Sequence, residues 1–133
     1  MIFIDANIFI YAAGVESPWQ KPCQRFLREV VDDSRMKACT NAEVLQEILH
    51  RYTHLQKPQK AFQIFDSVLD LGIPVLSIRA EDLARARFLL EENVSLGSRD
   101  AVHLGVMQNH GISKIATYDR GFMKIPWIDV YSL

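Results

Sequence analysis

Apolar residues come in short bursts along this chain, separated by longer stretches in which they recur at helical spacing. The opening run Met1–Ile4 is uninterrupted and predicts a short buried strand. Residues 20–33 place Phe26, Leu27, Val30 and Val31 on one side of a helix, which predicts those four as its buried stripe. A second short strand is predicted at 36–40. Asn41 stands where a helix cap belongs, and Val44, Leu45, Ile48, Leu49 and Tyr52 form the apolar face of the helix that follows. Lys57-Pro58 interrupts that helix. Pro58 suits the first position of the next one, which runs to Leu71-Gly72. Residues 74–78 read as a strand and 80–93 as an amphipathic helix over Leu83, Ala86, Phe88, Leu89 and Leu90. Ser98 opens a last helix that ends near Gly111, and strands are predicted at 112–117 and in the C-terminal WIDVYSL. Strands alternating with helices imply a three-layer α/β sandwich, with a small, mainly parallel sheet flanked by helices. Ligands of such sheets bind beyond the carboxyl ends of the strands, where strand order reverses.

The 133 residues fit one domain, spanning 1–133, with enough chain to bury a core. A composition of 49% hydrophobic and 23% charged residues is ordinary globular usage. The net charge of -1 excludes a basic field over the whole protein, although a local basic patch beside an acidic pocket remains compatible with RNA. Two cysteines, Cys23 and Cys39, make no disulfide framework and match no metal spacing, so buried thiols in a reducing cytosol are expected. No basic region precedes the N-terminal apolar residues and Asp5 interrupts them. Neither a signal peptide nor a membrane span is predicted, and the expected location is cytoplasmic.

Four acids change this picture. Asp5 closes the first strand, Glu47 lies on the helix after Asn41, Asp100 opens the apolar helix SRDAVHLGVM, and Asp119 follows the strand at 112–117. Each has an alternative reading. Asp5 suits a helix cap, a job Asn7 could also do. Glu47 could pair with Arg51 one turn on. Asp100 could cap near Ser98 or pair with Arg99, and Asp119 could be a turn residue. On the wheel of the second helix, Glu43 lies about 100° from Val44, well out on the polar face, whereas Glu47 lies about 60° from it, at the edge of the buried face. An ionised Asp100 in so apolar a helix is costly unless it is paired or holds a cation, and a helix N-terminus lowers that cost. Asp5 and Asp119 share one edge of the sheet if both their strands are central. Taken together, the four suggest one shared cation site.

The remaining candidates read as ordinary structure. His103 fits a hydrogen-bonded core residue. His50, His54 and His110 show no zinc spacing. Arg25, Arg28, Arg51, Lys57 and Lys60 read as solvated helix faces, with phosphate contacts as the alternative. There is no glycine-rich phosphate loop, nucleophile elbow or cysteine nucleophile motif. Clustered carboxylates cannot all stay ionised without a cation, and hard oxygen ligands select Mg²⁺ or Mn²⁺. Such ions activate water against a phosphodiester with no side-chain nucleophile. An aspartyl phosphatase is disfavoured, because MIFIDAN has Asn7 where the D-x-D motif has its second acid.

Four blocks, MIFIDANIFIY, TNAEVLQEI, SRDAVHLGV and IATYDRGF, resemble in order and spacing those of PIN-domain ribonucleases of the VapC toxin type. The resemblance runs nearly end to end. It implies a five-stranded parallel sheet, Mg²⁺ or Mn²⁺ dependence, and hydrolysis of RNA. It assigns Asp5, Glu47, Asp100 and Asp119 to the metal and its activated water, with Asn7, Thr40 and Thr117 as supporting polar groups around them. It also implies an antitoxin partner and a homodimer. PIN domains serve in RNA maturation and decay as well, so a non-toxin processing nuclease and a non-catalytic RNA-binding module stand as the alternatives.

Overall fold

The computed structural model of the chain describes residues 1–93 and 95–133. Within them the element order is β1 (Ile2–Ile4), α1 (Ala6–Ala13), α2 (Gln20–Asp32), β2 (Ala38–Asn41), α3 (Ala42–His54), α4 (Pro58–Asp70), β3 (Val75–Leu76), α5 (Ala80–Glu92), α6 (Ser98–Asn109), β4 (Lys114–Ala116), a 3₁₀ turn (Arg120–Lys124) and β5 (Asp129–Tyr131). The five strands form one sheet in the order β3-β2-β1-β4-β5, flanked by the helices. All four pairings are parallel, as the alternation of strands and helices predicts. Parallel strands are buried on both faces and therefore read as unbroken apolar runs. Ile2, Phe3 and Ile4 are all buried.

The topology places the site. β1 is the central strand, and the chain leaves it in one direction toward β2 and later returns on its other side as β4. Strand order reverses at β1, so the crevice beyond its carboxyl end is where an open α/β sheet binds ligands. Asp5 sits at that end and Thr117 directly follows the neighbouring β4. The Asp5 N–H donates to the Ala116 carbonyl at 3.1 Å, which holds the two strand ends together.

Local chemistry explains most boundaries. Asp5 caps α1, its Oδ1 accepting from the Ala6 N–H at 2.7 Å. The sequence assigned no element to 6–13, because the run ANIFIYAA carries no period that separates helix from strand. Asn41 caps α3 as predicted, accepting from the Val44 N–H at 3.0 Å. Pro58 begins α4, and Gly72 ends the turn after it with φ +71, a conformation that favours glycine.

Two predicted stripes need correction. α2 buries Cys23, Phe26 and Val30, while Val31 is 56% exposed. α5 buries Asp82, Ala86 and Leu89, leaving Leu83 and Phe88 about half exposed. The reason in α5 is close approach to α6. A methyl group at Gly105 of α6 would lie 2.5 Å from the Asp82 carbonyl oxygen, so backbone packs on backbone there. The Asp82 carboxylate turns inward because it has partners: the Arg79 N–H at 2.8 Å and the Asn109 amide at 2.8 Å. Both cysteines are free and buried, and burial pushes each thiol up to about 11. Among the described residues no helix is long and apolar enough to cross a membrane.

Candidate metal centre

Four elements deliver the four acids to one place. Asp5 comes from the end of β1, Glu47 from the middle of α3, Asp100 from the first turn of α6, and Asp119 from the start of the 3₁₀ turn. All four line one open cleft of about 210 Å³, with Asn7, Arg51 and Arg99 among its other walls. Their burial is graded. Asp5 is buried, Glu47 and Asp100 are half-buried and Asp119 is exposed, so the cleft has an acidic floor and an acidic rim.

Asp5 is the most constrained. Besides capping α1, its Oδ2 accepts from the Thr117 hydroxyl at 2.6 Å and from the Asn7 amide at 3.0 Å. That amide also reaches Thr117 Oγ1 at 3.1 Å, and Asn7 Oδ1 accepts from the Tyr118 N–H at 3.2 Å. Thr117 Oγ1 accepts in turn from the Asp119 N–H at 3.0 Å. Asn7 and Thr117 thus join Asp5 to the turn that carries Asp119. Thr40 behaves differently: its buried hydroxyl donates to the Ile4 carbonyl at 2.9 Å, fixing the backbone just before Asp5 without touching a carboxylate.

Glu47 pairs not with Arg51 but with His103, at 3.2 Å from Nε2 to Oε2. His103 is fully buried, and its Nε2 also lies 3.9 Å from Asp5 Oδ1. Its Nδ1 meets the Asn41 amide nitrogen at 3.0 Å. Because Asn41 Oδ1 is engaged in the α3 cap, the amide N–H donates to Nδ1 and Nε2–H donates to Glu47. Sequence reasoning placed His103 in the core, which is where it sits. It did not place the ring against two of the acids; the signal was its spacing of one turn from Asp100. Asp5, Glu47 and His103 each offer a ligand atom within 4.8 Å of the others.

The electrostatics follow from crowding. Burial raises the Asp5 carboxyl, His103 and the Thr117 hydrogen bond oppose the rise, and the Glu47 charge adds to it. Asp100 is pushed up to about 6, by burial first and then by the charges of Asp119 and Asp5. Burial pulls the His103 imidazole down, but the Glu47 hydrogen bond and the charges of Asp5, Glu47 and Asp100 outweigh it, and the net direction is upward. Arg99 does not pair with Asp100; it lies 3.8 Å from Glu43, the acid the helical wheel set aside. The cleft therefore holds more negative charge than its own side chains neutralise.

The PIN domain family matches residues 2–128. This chain belongs to the PIN-domain family. The chain is 36% identical over 128 residues to ribonuclease VapC13 of Mycobacterium tuberculosis, covering 96% of this chain and 97% of that protein. Among solved structures it is similar to VapC20 of Mycobacterium tuberculosis, described as a sarcin-ricin loop cleaving toxin, with TM-score 0.79 at 16% identity over 96% of this chain and 97% of that one. It is also similar to a chain of VapBC2 from Rickettsia felis bound to a DNA fragment from their promoter, with TM-score 0.75 at 17% identity and 98% of both chains covered. At those identities the two structures establish the shared fold, and VapC13 carries the family kinship.

Proposed function

We propose that this PIN domain is a metal-dependent endoribonuclease, the cytoplasmic toxin of a toxin–antitoxin pair, acting as a single nuclease domain. The observation that carries the reading is the convergence of Asp5, Glu47, Asp100 and Asp119 on one cleft at the reversal point of the sheet. The ribonuclease activity named for VapC13 and the antitoxin-bound state implied by the VapBC2 complex support it.

The donor set fits Mg²⁺ or Mn²⁺: hard carboxylate oxygens on an open cleft, with cysteine thiols elsewhere and protonated. Bound there, a divalent ion supplies Lewis-acid chemistry, activating water and neutralising charge that develops on the phosphate. The protein's own part is positioning. Thr117 and Asn7 fix the Asp5 carboxylate, and His103 fixes Glu47, so both face the cleft without reorganisation. Asp100, its carboxyl pushed up to about 6, is protonated below that pH and would then hold a cation less well. Asp119 on the exposed rim is the acid an incoming RNA meets first.

The test is cleavage of total RNA with and without Mn²⁺. Asp5→Asn and Asp100→Asn are expected to abolish Mn²⁺-dependent cleavage while leaving the circular dichroism spectrum unchanged. Cleavage by both variants at the parent's rate would overturn the assignment.

A further inference from the structure

Asp5, Glu47 and His103 offer ligand atoms within 4.8 Å of one another, which on distance alone makes a cation site of two carboxylates and an imidazole. An imidazole that took part would draw the site toward the later transition metals. One that stayed out would leave it to hard oxygens. The hydrogen bonds around the ring decide between the two.

A ring nitrogen binds a metal through its lone pair, so it cannot carry a proton at the same time. Nε2 is the nitrogen of His103 that faces the acids. For its lone pair to be free, the neutral ring must carry its proton on Nδ1. Nδ1 lies 3.0 Å from the Asn41 amide nitrogen, which is itself a donor, so two donors would face each other. Turning the Asn41 amide over would offer its oxygen to the ring instead. That oxygen already accepts from the Val44 N–H at 3.0 Å. The turn would set the amide nitrogen against that N–H and uncap α3. Asn41 therefore keeps the ring proton on Nε2, where Glu47 Oε2 accepts it at 3.2 Å.

Packing agrees with this. His103 is fully buried, its ring centroid 5.2 Å from that of the fully buried Phe3. Among the described residues, Asp5, Glu47, Asp100 and Asp119 line the cleft and His103 does not. Glu47 is half-buried, with Oε2 spent on the ring and Oε1 left for a cation.

We propose that His103 is a positioning residue and not a metal ligand, and that Asn41 gives it that role by fixing its tautomer. The chain Asn41–His103–Glu47 then carries the order of the α3 cap to the rim of the cleft. The proposal rests on the reading of that cleft as a divalent-cation site.

The tautomer is read in ¹⁵N-labelled protein by correlating the ring nitrogens with the ring protons, with and without Mg²⁺. The signals missing from His103→Gln identify those of His103. Nε2 is expected to be protonated and Nδ1 unprotonated in both states. Loss of the Nε2 proton on adding Mg²⁺, or a proton on Nδ1 in either state, would overturn the proposal. With Mn²⁺ instead, pulsed electron paramagnetic resonance is expected to show no coupling to a directly bound nitrogen; such a coupling, absent from His103→Gln, would make the ring a ligand. Affinity for Mn²⁺, measured by calorimetry, gives a second check. His103→Gln keeps a donor near the place of Nε2, whereas His103→Asn keeps a group only near that of Nδ1. Binding is expected to weaken about 10–100-fold in His103→Asn and to stay within about threefold of the parent in His103→Gln. Equal weakening in both, or none in either, would contradict the proposal. The spectra of the parent decide the matter even if a variant fails to fold. A parent that binds neither ion would overturn the cation-site reading itself, whereas binding through a ring nitrogen overturns this proposal alone.

Discussion

Asn41 shows how a single side chain serves both fold and site. Its carbonyl caps α3 and its amide holds His103, which in turn holds Glu47. Losing a cap of this kind costs about 1 kcal/mol, and leaving a buried ring nitrogen without its donor adds about 1–3 kcal/mol. Asn41→Ala is therefore expected to destabilise by more than a cap alone, measured by urea denaturation; a loss below about 0.5 kcal/mol would show that the His103 contact contributes nothing. Asn7 and Thr117 act on the site more than on the fold. Asn7→Ala or Thr117→Val is expected to lower cleavage about 10–100-fold with little loss of stability, because both support an acid rather than the core. At this scale much of the site was legible. Asp5, Glu47, Asp100 and Asp119 each stood at an element boundary or a helix edge, where a carboxylate has a reason to be. His103 was legible as buried but not as an acid's partner, since helical spacing fixes a residue's face and not which side chain from another helix will meet it.

At the scale of elements, the α5–α6 pair matters most, because α6 carries both Asp100 and His103. Its tight seam with α5 at Gly105 fixes the position of the helix that carries them. Gly105→Ala pushes a methyl into the Asp82 carbonyl and is expected to cost about 1–3 kcal/mol. A thermal melt indistinguishable from the parent's would refute this. The seam also explains why the α5 stripe was misread. Periodicity put Leu83 and Phe88 in the apolar stripe and said nothing of Asp82, and it had no means of registering that a glycine on the partner helix admits backbone contact and a hydrogen-bonded acid. The same limit applied to α1. Its apolar residues cover most of its circumference, so no pattern distinguished it from a continuation of the strand. The strands and the other helices were legible because polar residues and breakers such as Asn41, Pro58 and Gly72 bounded them.

For the whole molecule, the consequence of gathering acids is a stability that depends on pH and cation together. Asp100 has a folded-state pKa of about 6, above its ordinary value. A raised carboxyl binds protons more tightly in the folded state, so its contribution is fully present below the ordinary carboxylate range and is lost as pH rises through about 6. Asp5 shifts in the same direction. Without divalent ions, this part of the stability is therefore expected to fall between about pH 4 and pH 7. Mn²⁺ is expected to raise the Tm at pH 7.5 by binding the folded state, and to raise it far less at pH 5, where protons compete. An equal shift at both values would mean that the ion binds somewhere other than these carboxylates.

The central claim is that one cleft gathers the acids around a divalent ion. Anomalous scattering from crystals soaked in Mn²⁺ tests it most directly. The account predicts a manganese peak in the cleft bounded by Asp5, Glu47, Asp100 and Asp119, absent from crystals of the Asp5→Asn variant. A peak on another face of the molecule, or one in that cleft undiminished in the variant, would contradict it.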